Sequence, residues 1–199
     1  MFLYRFAKSG LATRISKGKY SVQEDPLIFA SLIYSPSYIA LWSALTFHGL
    51  TEQIPKDIFV VTIKNRKSIS YRGIKIHFFR LKHMWGFENI NYKGFIIFVS
   101  DIEKTIIDCL LTRSVPIPII YNAIENTKID IDRLITYLDK IKNKTLAKRI
   151  GFLMEKAGND ISERLKDYID NNYTALEPNN KAKGKKCKKW RIIENVVIP

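Results

Sequence analysis

The chain has 199 residues, of which 33 are Lys or Arg and 19 are Asp or Glu, for a formal net charge of +14. With 46% hydrophobic and 12% aromatic residues it carries enough apolar surface for a real core, which excludes intrinsic disorder except at the ends. Its longest apolar run, Phe95–Val99, is strand-sized and far short of the ~18–20 residues of a membrane span. Residues 1–8 interleave basic and apolar groups, whereas a secretory signal needs a continuous apolar stretch. The expectation is a cytoplasmic protein with no membrane partner.

The charge is unevenly placed. Residues 1–22 hold five basic and no acidic groups, residues 23–180 hold 21 against 18, and residues 181–199 hold seven against one. A near-neutral body with basic ends fits this better than a protein basic throughout. The two cysteines differ in setting, Cys109 in an apolar helical pattern and Cys187 in a lysine run, so neither a disulfide nor a metal site is expected of them.

In chain order, residues 2–9 read as a short helix ended by Gly10. Residues 11–16 and 19–22 are extended runs around Lys17-Gly18, which reads as a hairpin turn. The polar stretch 23–26 is a connector and a candidate boundary. Ser35-Pro36 reads as the opening of a helix, with Tyr38, Leu41, Trp42 and Leu45 on one face and Gly49 at its end. Strands are expected at 58–63, 69–71, 74–79 and 95–99, the first and last buried on both faces.

From Ser100 the pattern is helical. Ser100 and Glu103 read as a capping box before Ile102, Ile106, Ile107, Leu110 and Leu111. Further helices are expected near 118–125, from Asp130 to Ile141, from Leu146 to Gly158 and from Asp160 to Ile169. Residues 179–189 form a lysine-rich loop, and Trp190–Ile198 regains strand character, so the loop is held at both ends. The fold class is α+β: a small sheet packed by helices, then a helical stretch.

Enzymatic constellations are weak. His48, His77 and His83 are scattered, and His48 reads as a helix-terminal imidazole. Asp101, Glu103 and Asp108 cluster after the strand at 95–99, but without a second carboxylate at metal-ligand spacing. The strand at 58–64 offers Thr62-Ile-Lys64, one carboxylate short of a restriction-type nuclease. No glycine-rich phosphate loop is present, and nothing calls for a cofactor. Arg5, Lys8, Arg14, Lys17 and Lys19, by contrast, lie on a helix and around a hairpin turn with no acid to offset them. Such an arrangement fits DNA, helix in the groove and hairpin on the phosphates, or else a merely basic surface hairpin. Lys181, Lys183, Lys185, Lys186, Lys188 and Lys189 fit either a solvated loop or a contact to phosphates or an acidic partner.

Residues 10–20, SALTFHGLTEQIP at 43–55, Val60–Ile63, SDIEKTIIDCL at 100–110 and the closing Trp190–Ile193 together carry a likeness. The chain resembles the AbiEi-type antitoxins of type IV toxin–antitoxin systems, which serve abortive infection and phage defence. The resemblance implies an N-terminal winged helix-turn-helix that represses its operon by binding operator DNA. It implies also a C-terminal domain that opposes a nucleotidyltransferase-type toxin without a stable complex. Residues 1–22 then correspond to a recognition helix and wing, a partial winged helix lacking the two helices that precede them in the complete module, and 23–199 to the antitoxin domain. The alternatives are an interaction protein that does not read DNA sequence and, further off, a metal-dependent nuclease or transferase. No residues mark an oligomer interface.

Overall fold

The computed structural model describes residue 5, residues 7–16 and residues 19–198. Arg5, Ala7 and Lys8 are helical, and the Ser9 and Gly10 N–H groups close the turn on the carbonyls of Arg5 and Ala7. Thr13–Ser16 (β1) then pairs antiparallel with Lys19–Ser21 (β2), a hairpin whose turn residues Lys17 and Gly18 lie outside the described residues.

The first helix after the hairpin is Pro26–Leu32 (α1), which begins at the last residue of the expected connector 23–26 and for which no element is expected from the sequence. Its start signal is complete: Asp25 accepts the Leu27 N–H at 2.9 Å, and Pro26 occupies the first turn, where its missing N–H leaves no bond unmade. The helix expected to open at Ser35-Pro36 does not. Instead Ser37–Ile39 (β3) is a strand, entirely buried, and the helix begins only at Leu41 and runs to Phe47 (α2). A three-residue strand enclosed on both faces carries no alternation, so Tyr38 joined the helical apolar series by coincidence of spacing.

β3 is the centre of a six-stranded sheet with Ile58–Thr62 (β4), Ile69–Tyr71 (β5), Ile74–Arg80 (β6), Phe87–Tyr92 (β7) and Phe95–Ser100 (β8), in the order β5-β6-β4-β3-β8-β7. β3 runs antiparallel to β4 and parallel to β8, and β4 runs parallel to β6. Each edge is a hairpin closed by a basic residue and a glycine, Arg72-Gly73 and Lys93-Gly94, all four with positive φ as a tight primed turn requires. β4 is buried on both faces, as expected, with Val60, Val61 and Thr62 almost fully enclosed. β8 is not: Phe95 and Ile96 are 47% and 51% exposed, because that end pairs only with the edge strand β7. β7 itself escaped the sequence reading, since Glu88, Asn89 and Asn91 mask the pattern of a solvated edge.

The helical part comprises Ile102–Thr112 (α3), Ile117–Glu125 (α4), Ile131–Ile141 (α5), Lys144–Lys156 (α6) and Ser162–Leu165 (α7). The helix expected to reach Ile169 stops after four residues and continues as a 3-10 turn, Lys166–Tyr168. The expected capping box at α3 is replaced by a different set of bonds. Asp101 caps the helix by accepting the Lys104 N–H at 2.7 Å, while Glu103 accepts the Asp130 N–H at 2.8 Å and so fixes the entry to α5.

Thr174–Ala175 (β9), Lys185–Cys187 (β10) and Ile192–Glu194 (β11) form a second sheet, ordered β10-β11-β9. The lysine segment is therefore partly strand rather than all loop, and the strand expected over 190–198 is confined to β11. Trp190 lies in the turn between β10 and β11 and is 1% exposed. A Cβ on Gly151 of α6 would lie 2.0 Å from its ring, so only glycine lets the indole lie on that helix.

The chain divides into two compact units, Met1–Ala44 with Ile54–Ser100 and Leu45–Gln53 with Asp101–Pro199. The fold is α+β, with the six-stranded sheet in the first unit and helices α3 to α7 in the second. Among the described residues no helix is long and apolar enough to cross a membrane.

Candidate nucleic-acid interface

The first unit holds 14 Lys or Arg against four Asp or Glu, the second 19 against 15. In the first unit three of the four acids have basic side chains as neighbours: Glu24 with Arg72 at 3.7 Å, Asp25 with Lys93 at 2.7 Å and Asp57 with the His77 ring at 2.8 Å. Partial burial pushes the Asp25 carboxyl up, but hydrogen bonds from Lys93 and the Leu27 N–H outweigh it and leave it below the ordinary range. The His77 hydrogen bond likewise holds Asp57 low.

Of the residues that the sequence assigns to DNA, Arg5 and Lys8 are exposed on the helical turn and Arg14 is exposed on β1 opposite Tyr20. Lys19 belongs to β2 by its pairing with Ser16, and Lys17 lies outside the described residues. A second basic segment, missed in the sequence, lies between β4 and β5: Lys64, Arg66 and Lys67 are all exposed. The Arg66 guanidinium rests 4.3 Å above the Tyr34 ring, and Tyr34 in turn meets Phe78 edge-on at 5.1 Å. Ile15 of β1, Tyr34 and residues 65–70 line one open cleft of about 460 Å³. Hairpin and loop are thus two walls of the same feature.

The lysine segment has a mixed fate. Lys181, Lys183, Lys185, Lys186 and Lys188 are exposed, with Lys186 placed 5.1 Å from the Tyr173 ring. Asn195 ties the segment down by donating to the Lys181 carbonyl at 3.1 Å. Lys189 differs, being 2.8 Å from both Glu155 and Asp160. Hydrogen bonds from Lys189 and Ser162 draw the Asp160 carboxyl down to about 2, and those same acids raise Lys189. Lys189 is thus part of the scaffold, beside the Trp190 indole N–H that donates to Glu155.

The acids after β8 are structural in their bonding. Asp101 caps α3 and accepts the Tyr137 hydroxyl at 2.6 Å, which with burial raises the Tyr137 pKa. Glu103 holds Asp130 and Arg133, and Asp108 is ion-paired with Lys104, both side chains fully enclosed. Burial pushes Lys104 down and the Cys109 thiol well up. Among the described residues no group of three or more His, Cys, Asp or Glu is arranged to hold a metal ion. Searches against protein-family models and against curated proteins return no match to this chain.

Proposed function

We propose that this chain is a cytoplasmic transcriptional regulator and antitoxin of a type IV toxin–antitoxin module. On this reading it acts by binding operator DNA and by opposing a nucleotidyltransferase-type toxin. The reading starts from the residue strings at 43–55 and 100–110, and the observation that carries it is the exposed, acid-free set Arg5, Lys8 and Arg14 on a helical turn and adjoining hairpin. A duplex is a polyanion with condensed counterions, and cations that no acid neutralises release those counterions on contact. A short helix followed by a hairpin offers two kinds of contact, side chains toward base edges and side chains toward phosphates. Neutralisation of the toxin is assigned to the second unit, whose charged side chains are largely engaged in its own scaffold.

The test is a pair of cellular readouts. Full-length protein is expected to repress a reporter driven by the DNA upstream of its own operon and to restore growth when the neighbouring toxin gene is co-expressed. Lys8→Ala with Arg14→Ala is expected to lose repression and retain growth rescue. Persistent toxicity with the wild-type chain overturns the antitoxin reading, and an unrepressed reporter overturns the regulator reading.

A further inference from the structure

The cleft between β1 and the β4–β5 loop is lined by none of the residues assigned to the duplex, Arg5, Lys8 and Arg14. A duplex backbone is convex and touches protruding side chains, whereas this feature is concave, and its ~460 Å³ lies within the range of small-ligand sites. Its lining has three chemistries. Arg66 and Lys67 supply uncompensated positive charge, with none of the paired acids Glu24, Asp25 and Asp57 bonded to either. Asn65, Ser68 and Ser70 supply neutral donors and acceptors, and Tyr34 with Ile15 supplies apolar surface.

The position of Arg66 is the informative detail. An arginine in a solvated loop samples many rotamers, yet this guanidinium lies 4.3 Å over the Tyr34 ring, and the ring is braced edge-on by Phe78. A guanidinium seated over an aromatic ring can offer its outer face as a second stacking surface and its N–H edge to an anion. Nucleic-acid proteins that take unpaired strands combine these same parts, a positive groove and a stacking platform.

We propose that this cleft binds a single-stranded nucleic acid, with one unpaired base stacked on the Arg66–Tyr34 platform and its phosphates against Lys67 and the neighbouring Lys64. The side chains of Asn65, Ser68 and Ser70 meet the edge of that base. The proposal is independent of the regulator reading, which requires double-stranded operator DNA and the residues Arg5, Lys8 and Arg14.

The experiment uses the full chain and fluorescein-labelled oligo(dT) and oligo(U) of about 12 nucleotides, the site size of one such groove, followed by anisotropy at several salt concentrations. Binding by either oligomer is expected, and their relative affinity tells whether DNA or RNA is preferred. Tyr34→Leu is expected to lower affinity about tenfold, the effect of losing one stacked base. Arg66→Lys keeps the charge but not the plane, and is expected to weaken binding with the salt slope unchanged. Lys64→Ala with Lys67→Ala is expected to make the slope shallower by about 0.7 per lost phosphate contact. Lys128→Ala with Lys166→Ala, two exposed lysines of the second unit, is expected to change nothing. Absence of binding at low salt overturns the proposal, as does Arg66→Lys binding like wild type. Equal competition by a duplex of the same length also overturns it, because the cleft would then read backbone alone. Loss of operator binding by Lys8→Ala with Arg14→Ala, with oligomer binding intact, would separate this site from the regulator surface.

Discussion

The two units treat charge in opposite ways. The first leaves Arg5, Lys8, Arg14, Lys64, Arg66 and Lys67 exposed. The second nearly balances its charge and folds much of it inward. Lys104 meets Asp108 with both side chains at 0% exposure, Lys148 donates to Asp170 at 2.9 Å and to the Asn172 carbonyl, and Arg149 donates to the Ala175 carbonyl at 3.0 Å. Glu177 accepts the Ile117 N–H at 3.1 Å at the start of α4. Charge thus stands exposed in the first unit, while in the second, outside the lysine segment 181–188, much of it is bonded into the fold, and the same substitution type should act on different observables in each.

The largest expected effect is structural. Asp108→Ala removes the ion-pair partner of the enclosed Lys104 ammonium, and the loss of stability should be about 3–5 kcal/mol, read as a lowered urea midpoint. Replacing both partners with apolar residues, Lys104→Met with Asp108→Leu, should recover most of that loss, because the remaining site no longer holds an enclosed ion. If the single variant melts like wild type, the second unit does not depend on its internal charges. Gly151→Ala should come next, at about 1–3 kcal/mol, since its methyl group must displace the Trp190 ring. A blue- or red-shifted tryptophan emission at low denaturant would report that displacement directly.

The smallest effect concerns the exposed Lys189 pair. Asp160 has a folded-state pKa of about 2, lowered from 3.8 by Lys189 and Ser162, so its contribution is present above pH ~4 and is lost as pH falls toward 2. Asp160→Asn should therefore lower the urea midpoint slightly at neutral pH, with the difference shrinking as pH falls from about 4 toward 2. A constant difference across that window would contradict the pairing.

How far the sequence reveals all this depends on whether the signal is local. Helices α3 to α6 are legible because each presents apolar side chains at helical spacing over nine residues or more. The two paired runs of the β1–β2 hairpin, β4 and β6 are legible as short extended runs. β3 is not, because burial on both faces erases alternation in three residues, and the start signal at Asp25-Pro26 is easily passed over beside Ser35-Pro36. At α3 two candidate caps, Ser100 and Asp101, are adjacent. The choice falls on Asp101 because Glu103 is drawn to the Asp130 N–H across 27 residues, a tertiary demand that no local pattern contains.

The site shows the same limit. The DNA-facing candidates at the N-terminus are visible because acids are absent around them in the chain. Lys64, Arg66 and Lys67 are hidden in a body whose 21 basic and 18 acidic groups almost cancel. The cancellation is only arithmetic. Residues 54–100 carry nine basic and two acidic groups, and 14 of the 18 acids in the count lie in the second unit. Net charge sums along the chain, whereas binding depends on which charges share a surface.

The central claim, that exposed charge in the first unit binds nucleic acid while enclosed charge in the second builds the fold, is tested most directly by titrating the operon's upstream duplex with full-length protein between about 50 and 200 mM salt. Wild type should bind with an affinity that falls steeply with salt. Lys8→Ala with Arg14→Ala should make the log–log slope shallower by about 1.8, with an unchanged urea midpoint. A wild-type chain that does not bind at the lowest salt, or a double variant that keeps the full slope, would contradict the account.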